Sequence, residues 1–250
     1  MDNKKKIVIF GATSAIAKHC ARLWAQGKSV DITLVGRDAS RVERVAADLR
    51  VRSPQSDIRV VQAEFLDPAA IQTTVDNIIA QGPVDIVLIA HGSLPEQSNC
   101  QNDLSACREA LEVNGISPVL YAEAFARHMT QVNRCTLALI GSVAGDRGRK
   151  SNYVYGAAKG LVACYAQGLQ HRFAGTNVKV VLIKPGPTDT PMTAHLKRQG
   201  TKLALVEDVA QKIVDAVERG QAVAYVPGKW QLIMWVIRHL PSYFFNRINI

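Results

Sequence analysis

The feature that most constrains the fold is an alternation of short apolar runs with helical stretches over the first 90 residues. Apolar runs at 7–10, 31–35, 58–62 and 84–90 have the length of strands, and continuous runs of this kind are typical of parallel strands buried on both faces. A helical pattern follows each of the first three runs: the first ends near residue 26, the second ends near residue 50 and the third spans 69–80. This order predicts an α/β fold, a Rossmann-like doubly wound parallel sheet with helices on both faces.

The length of 250 residues suits one such domain, and no Gly/Ser/Pro-rich linker divides the chain. We therefore expect a single domain over 1–250, with a core at 1–225 and an apolar and basic helical tail at 226–250. The N-terminal lysines and the following apolar run imitate a signal peptide, but the apolar core spans only 7–10. No run approaches the length of a transmembrane helix.

The formal net charge of +9 indicates an anionic partner: a phosphorylated cofactor or substrate, an acidic lipid or nucleic acid. The chain has no zinc-finger spacing and no basic helix with interleaved aromatic residues, so nucleic acid is not expected. Its five cysteines form no CxxC pair. We therefore expect no disulfide framework and no metal site, but reduced thiols in a cytoplasmic protein.

The turn after the first run is suited to a phosphate. Gly11 permits a sharp turn, the hydroxyls of Thr13 and Ser14 can donate, and the amides of the next helix attract an anion. The alternative is a plain strand-to-helix turn capped by Ser14. After the second strand, Arg37 stands where a guanidinium can grip a 2′-phosphate, which favours NADPH over NADH. The alternative there is a solvated arginine at a helix start, next to Asp38.

A second group of residues indicates redox chemistry on a carbonyl. Tyr155 and Lys159 lie one helical turn apart, and Ser142 precedes the tyrosine by thirteen residues at a predicted strand end. Reduction of a ketone requires a hydride at carbon and a proton at oxygen; the phenol can give the proton while the serine hydroxyl binds the same oxygen. The lysine charge can stabilise the tyrosinate. Taken alone, Tyr and Lys at this spacing are more often a surface pair on a helix.

Together these motifs resemble the classical short-chain dehydrogenase/reductase family over nearly the whole chain. The resemblance implies a catalytic tetrad of Asn114, Ser142, Tyr155 and Lys159, with Asn114 holding a water that links the lysine to solvent. It also implies a homo-oligomer, a dimer or tetramer. Departures are Ala15 and Ala17 where the family has glycines, and Ala90-His91 where it has Asn-Ala. The cofactor-binding residues that the resemblance implies are Gly11, Thr13, Ser14, Ala15, Ile16, Arg37, Glu64, Phe65, Ala90, His91, Gly92, Tyr155, Lys159, Pro185, Gly186, Thr188 and Thr190.

Three segments, at 145–169, 181–197 and 226–248, look like the decaprenylphosphoryl-2-keto-ribose reductases, which act on lipid-linked sugars of the cell envelope. Two features of the sequence favour an anionic, partly apolar substrate independently of this resemblance. Basic residues flank the expected site mouth, and the tail mixes aromatic residues with cations, as helices at the inner membrane interface do. The alternatives are solvated charges and a buried or oligomer-interface helix. The basic residues are Arg147, Arg149, Lys150, His195, Lys197 and Arg198.

Three functions are consistent with the sequence. The first is an NADPH-dependent reductase of a phosphorylated or lipid-linked ketosugar, peripheral to the membrane. The second is a reductase of a small soluble ketone or acyl substrate. The third is a dinucleotide-binding regulatory or scaffold protein without efficient chemistry.

Overall fold

The computed structural model of the protein describes residues 4–132 and 134–248, and its centre is one sheet of seven parallel strands. The central strands are short apolar runs whose side chains are buried on both faces of the sheet, as the sequence pattern predicts, whereas the edge strand β3 carries exposed polar residues. The strands are β1 Lys5–Phe10, β2 Val30–Gly36, β3 Asp57–Gln62, β4 Ile86–Ile89, β5 Cys135–Ile140, β6 Val178–Pro185 and β7 Val223–Val226.

The strand order is β3-β2-β1-β4-β5-β6-β7. The chain moves outward from β1 to β3, then returns to place β4 on the other side of β1, where Phe10 is in register with both Val35 and Ile89. Connections on the two sides of this point leave in opposite directions, and such a switch opens a crevice beyond the carboxyl ends of the strands. The doubly wound α/β prediction is confirmed.

Helices cover both faces of the sheet. On one face α1, α2 and α9 pack through residues such as Trp24, Leu49 and Ile213; on the other, α3, α6 and α7 pack through residues such as Phe125 and Leu169. The helices are α1 Ala15–Ala25, α2 Ala39–Arg52, α3 Pro68–Ile79, α4 Gln97–Asn102, α5 Leu104–Leu111, α6 Ser117–Val132, α7 Tyr153–Arg172, α8 Ala194–Arg198, α9 Val206–Arg219, α10 Lys229–His239 and α11 Ser242–Phe245.

The first strand begins two residues before the predicted start at residue 7. Lys6 belongs to the strand although it is charged, because its buried ammonium donates to the carbonyls of Ile78 and Gly82 at 3.3 and 3.2 Å. Burial lowers the pKa of Lys6. A lysine that satisfies its charge against backbone carbonyls extends the strand without an apolar signal in the sequence.

The C-terminal helices α10 and α11 follow the edge strand β7. Met234 is fully buried, whereas Leu232 and Trp235 on α10 and Tyr243 on α11 are each more than half exposed. No helix among residues 4–132 and 134–248 is long and apolar enough to cross a membrane. The tail predicted at 226–250 is thus a pair of helices attached by one face, and its residues 249 and 250 lie outside the described residues.

Candidate active site

The turn after β5 and the helix α7 bring Ser142, Tyr155 and Lys159 into one cavity at the carboxyl end of the sheet, here called the catalytic cavity. Ser142 lies two residues beyond β5, where its hydroxyl accepts a hydrogen bond from the amide of Ala144 at 3.1 Å and so starts a short 3₁₀ turn. Tyr155 and Lys159 lie on α7, separated by four residues, which places both on the face of the helix toward the cavity.

Burial governs the protonation of this group. It raises the pKa of Tyr155 to about 12, and a hydrogen bond from the Ser142 hydroxyl acts in the opposite direction. It lowers the pKa of Lys159 to about 8. The lysine Nζ donates to the carbonyl of Ile140 at 3.0 Å and lies 5.8 Å from the centre of the tyrosine ring. At neutral pH the site therefore presents a neutral phenol beside an ammonium group.

Asn114 is fully buried and lines the same cavity. It lies in a π-helical turn, Glu112–Ile116, between α5 and α6, and such widened turns are frequent at functional sites. Its Oδ1 accepts the amide of Ser93 at 2.8 Å, and its Nδ2 donates to the carbonyl of Ala110 at 2.9 Å. The structure thus brings all four residues of the predicted tetrad together, with Asn114 held in one orientation.

The turn after β1 has the geometry of a cradle for a dinucleotide. Gly11 has φ of +73°, and a Cβ atom on it would lie 2.5 Å from the backbone nitrogen of His91. A side chain there is excluded by both conformation and space. Ser14 occupies the N-cap position of α1, but its side chain makes no capping hydrogen bond. The alternative interpretation, in which the Ser14 side chain serves only to cap the helix, is therefore not supported. This arrangement fits a pyrophosphate at the α1 N-terminus.

A groove adjoins the catalytic cavity and runs from this turn past the end of β2; we call it the cofactor groove. Arg37 lines it together with Lys18 and Arg41. Asp38 forms no ion pair with these cations within the described residues; its carboxylate caps α2, accepting from the amide of Arg41 at 3.0 Å and from the hydroxyl of Ser40 at 2.7 Å. The groove therefore ends in three cations that suit a 2′-phosphate.

The other predicted cofactor residues are distributed unevenly. The catalytic cavity is lined by Pro185, Gly186 and Thr188. The groove is lined by Thr13, Ser14, Ala15, Ile16, Phe65, Ala90, His91, Gly92 and Thr190. Glu64 lines neither. Its carboxylate folds back and accepts from the amides of Phe65 and Leu66 at 2.8 and 3.2 Å. A role for Glu64 toward the cofactor stays a prediction, whereas Phe65 lines the groove.

His91 lies at the boundary of the groove and the cavity. Its ring contacts Phe65 edge to face at 4.7 Å, and its Nε2 shares a hydrogen bond of 2.9 Å with the Ser117 hydroxyl. Its Nδ1 is buried without a partner. Burial, with the charges of Lys159 and Arg37, lowers the pKa of His91 to about 3. The ring is therefore neutral, and its unpaired nitrogen supports the presence of a polar ligand here.

The segment after β6 forms the opposite wall of the cavity. The hydroxyl of Thr188 donates to the carbonyl of Gly186 at 2.9 Å. Thr190 is the N-cap of a 3₁₀ turn, and it forms a capping box with Thr193, in which the side chain of each residue bonds the backbone of the other. A Cβ on Gly186 would lie 2.0 Å from the indole nitrogen of Trp230. The first turn of α10 therefore packs directly against this wall.

The six basic residues predicted at the mouth have different positions. Arg147 points to the tail: it donates to the carbonyls of Ile237 and Leu240 at 2.5 Å, and its guanidinium lies 3.8 Å from the centre of the Phe245 ring. Lys197 pairs with Asp189 at 2.5 Å. Of the six, all within the described chain, Arg149 alone lines the catalytic cavity.

Several residues of these cavities were not predicted. Arg41 lies four residues after Arg37, and Lys18 lies four residues after Ser14. Because this spacing is about one helical turn, the sequence could have indicated that each lies on the same side as its predicted neighbour. Asn152 and Trp230 gave no such signal. Asn152 lines the cavity from the residue before α7, and Trp230 reaches its wall from a helix more than forty residues along the chain.

The comparisons with known proteins agree with this geometry. Residues 5–201 match the family model described as short chain dehydrogenase. An uncharacterized oxidoreductase of Streptomyces coelicolor is 30% identical over 247 residues, covering 98% of this chain and 96% of that protein.

Two solved structures show the same fold. A short-chain dehydrogenase from Sphingobium yanoikuyae in complex with NADPH has a TM-score of 0.82 at 21% identity, covering 98% of this chain and 96% of that one. The actinorhodin polyketide ketoreductase with NADPH has a TM-score of 0.79 at 18% identity, covering 90% and 97%. With the family match and the similarity along the whole chain, they support one assignment: this protein is an oxidoreductase of the short-chain dehydrogenase family.

Proposed function

We propose that the protein is an NADPH-dependent reductase that converts a ketone to an alcohol. The observation that carries the proposal is the convergence of Asn114, Ser142, Tyr155 and Lys159 on one cavity that opens into the groove behind Gly11. A nicotinamide bound between the two would supply the hydride. The chain's own residues bind the carbonyl and supply the proton.

The protonation state of Tyr155 suits reduction, the direction in which the phenol gives up its proton. With its pKa raised to about 12, Tyr155 holds its proton at neutral pH and can donate it to the oxygen of a carbonyl that becomes an alkoxide. Ser142 hydrogen-bonds the same oxygen, and the ammonium of Lys159 stabilises the tyrosinate left behind. Oxidation would require the tyrosinate at the outset, a state that burial disfavours.

The preference for NADPH rests on the three cations at the end of the groove, Arg37, Arg41 and Lys18. A 2′-phosphate would meet these cations directly, since Asp38 caps α2 and forms no ion pair with them within the described residues. Two relatives of the same fold are NADPH complexes. NADH lacks the phosphate, so it is expected to bind more weakly.

We expect the substrate to be a phosphorylated or lipid-linked sugar of the cell envelope, and the protein to lie peripherally at the inner face of the membrane. The support is the tail: α10 and α11 expose Leu232, Trp235, Tyr243 and Phe244 beside basic residues. Arg147 holds both helices against the loop that carries Ser142, so a membrane that receives the tail would lie beside the mouth of the cavity.

We also propose a dimer or tetramer. The catalytic helix α7 is apolar on its outer face as well as its inner one, with Tyr153 and Leu161 each more than two-fifths exposed. A helix that is apolar on both faces is expected to be covered on both. Sedimentation velocity on the wild type and on Leu161→Glu measures this: the charge should dissociate the assembly.

Fluorescence titration with NADPH and NADH tests the cofactor. The wild type should bind NADPH about tenfold to hundredfold more tightly, a range typical of charge-assisted hydrogen bonds to one phosphate. Arg37→Ala should lose most of this preference, and Arg52→Ala, an exposed arginine at the far end of α2, should keep it. Equal affinities of the wild type for both cofactors would contradict the proposal.

Tyr155→Phe tests the chemistry. It should lower ketone reduction by about two to four orders of magnitude, the contribution of a positioned proton donor, while NADPH binding stays nearly unchanged. Tyr153→Phe is the matched control, since Tyr153 is exposed on the same helix. Retained activity in Tyr155→Phe would refute the mechanism. NADPH binding without turnover of any ketone in the wild type would favour the regulatory or scaffold alternative.

Flotation with vesicles of anionic phospholipid tests the tail. The wild type should float with the vesicles, and the double variant Leu232→Ser with Trp235→Ser should remain below. Both residues are exposed, so the change spares the core. A wild type that never floats would favour the small soluble ketone or acyl substrate.

A further inference from the structure

Among the arginines predicted at the mouth, all of them described, Arg149 alone lines the catalytic cavity, and its hydrogen bonding is incomplete. Its Nη2 donates to the carbonyl of Val143 at 3.3 Å and lies 3.6 Å from the sulfur of Met234. Its Nε is buried and has no hydrogen-bond partner. A buried guanidinium with an unmade bond is costly unless something else completes it.

No carboxylate of the described chain forms an ion pair with Arg149. The acidic residue nearest in sequence, Asp146, is already taken: it pairs with Lys184 and accepts from the hydroxyl of Tyr225 at 2.8 Å. Burial lowers the pKa of Arg149, with Asp146 only partly opposing this. The cavity thus holds a cation whose counter-charge the protein does not supply.

Asn152, three residues further on, lines the same cavity, and its Oδ1 is also buried without a partner. The remaining wall near the mouth is largely apolar, with Leu94, Met192 and Leu196. A ligand that satisfies this wall has an anionic group for Arg149, a hydroxyl that can donate to Asn152, and apolar surface for the rest.

We propose that Arg149 is the specificity residue that anchors the substrate by a phosphate or carboxylate group, so that the enzyme reduces anionic ketones in preference to neutral ones. This inference rests on the proposed ketoreductase function and names its substrate class. The anion occupies the side of the cavity lined by Arg149 and Asn152, in the segment between Ser142 and α7. The carbonyl then lies between Ser142 and Tyr155, in the same cavity.

Matched ketone pairs that differ only in a phosphate test the assignment by activity. Oxidation of NADPH is followed with ribulose and ribulose 5-phosphate, and with dihydroxyacetone and its phosphate. The wild type should show the higher kcat/KM for the phosphorylated member. Arg149→Met, which removes the charge but keeps a long unbranched side chain, should lower the ratio within each pair by about tenfold to hundredfold. Lys150→Met, an exposed neighbouring cation, should keep the wild-type ratio.

A binding measurement decides the assignment if none of these ketones is reduced. The protein saturated with NADP⁺, so that the groove is filled, is titrated calorimetrically with inorganic phosphate and with octyl phosphate. Both should bind the wild type more tightly than Arg149→Met. Tighter binding of octyl phosphate than of phosphate identifies a lipid-linked anion, and equal binding identifies a soluble one.

The two failures are distinguishable. Equal ratios and equal phosphate binding in the wild type and Arg149→Met would overturn the anion anchor while the loss of activity in Tyr155→Phe still stands. Full activity in Tyr155→Phe would overturn the reductase proposal itself. Unchanged NADPH affinity in Arg149→Met confirms that the variant is folded and that its losses are confined to the substrate side.

Discussion

The buried ion pair behind the catalytic cavity allows a quantitative test of what holds the site in place. Lys184 on β6 and Asp146 in the turn after Ser142 are paired, with side chains only 6% and 2% exposed, and Tyr225 on β7 donates to the second carboxylate oxygen at 2.8 Å. Replacing Asp146 by Asn keeps the shape but leaves the ammonium without its counter-ion. Removing one partner of a buried pair costs about 3–5 kcal/mol.

Unfolding by urea, followed by tryptophan fluorescence, measures this cost. With an m-value of about 3 kcal/mol/M, the midpoint of Asp146→Asn should fall by about 1 M or more. Asp189→Asn is the control: it removes the partner of Lys197 in an ion pair whose side chains are 63% and 33% exposed. Such pairs contribute about 1 kcal/mol or less. Adding Lys184→Met to Asp146→Asn should restore part of the loss, because no unpaired charge then remains. Equal midpoints for the two Asp→Asn variants would refute the reasoning.

Two further predictions follow from the site. The folded pKa of Lys159, about 8, lies below its unfolded value of 10.5, so the unfolded chain binds more protons between these pH values; wild-type stability relative to Lys159→Met should therefore rise from pH 8 to 10, by roughly 2 kcal/mol in urea unfolding. A constant difference would contradict the burial of a charged lysine. Gly11→Ala should abolish NADPH binding in the fluorescence titration, because its Cβ would lie 2.5 Å from the His91 backbone; Gly27→Ala shares a positive φ of +65° but meets nothing within 4 Å, and should bind normally. Equal binding by both variants would show that the turn can yield.

Much of the sheet could be predicted from the sequence, since buried parallel strands are continuous apolar runs. The prediction erred at the ends. The predicted run at 84–90 extends past β4 at both ends, since β4 covers only Ile86–Ile89, and Ala90 already belongs to the loop whose next residue, His91, approaches Gly11. The spacing of Tyr155 and Lys159 also sufficed to place both on one face, because a helix fixes that geometry locally.

The roles of the mouth arginines could not be read in the same way. Arg147 and Arg149 are two residues apart and identical in type, yet one binds carbonyls ninety residues away and the other lines the cavity. Their difference depends on where α10 packs, which is a tertiary contact without local signal. Asp38 is the converse case: its capping of α2 was accessible from sequence, since Asp at a helix start is a common N-cap.

The clasp between Arg147 and the tail has a consequence for how such enzymes diverge. One guanidinium terminates α10 and stacks on Phe245, while its own backbone lies between Ser142 and Arg149. The segments 142–152 and 227–248 therefore behave as a single exchangeable cassette. Grafting either segment alone into a relative would leave the carbonyls at the end of α10 without the Arg147 donor, or Arg147 without those carbonyls. Swapping both together would keep these contacts and leave the cofactor groove untouched, and we expect the exchange to carry with it the proposed preference for an anionic substrate.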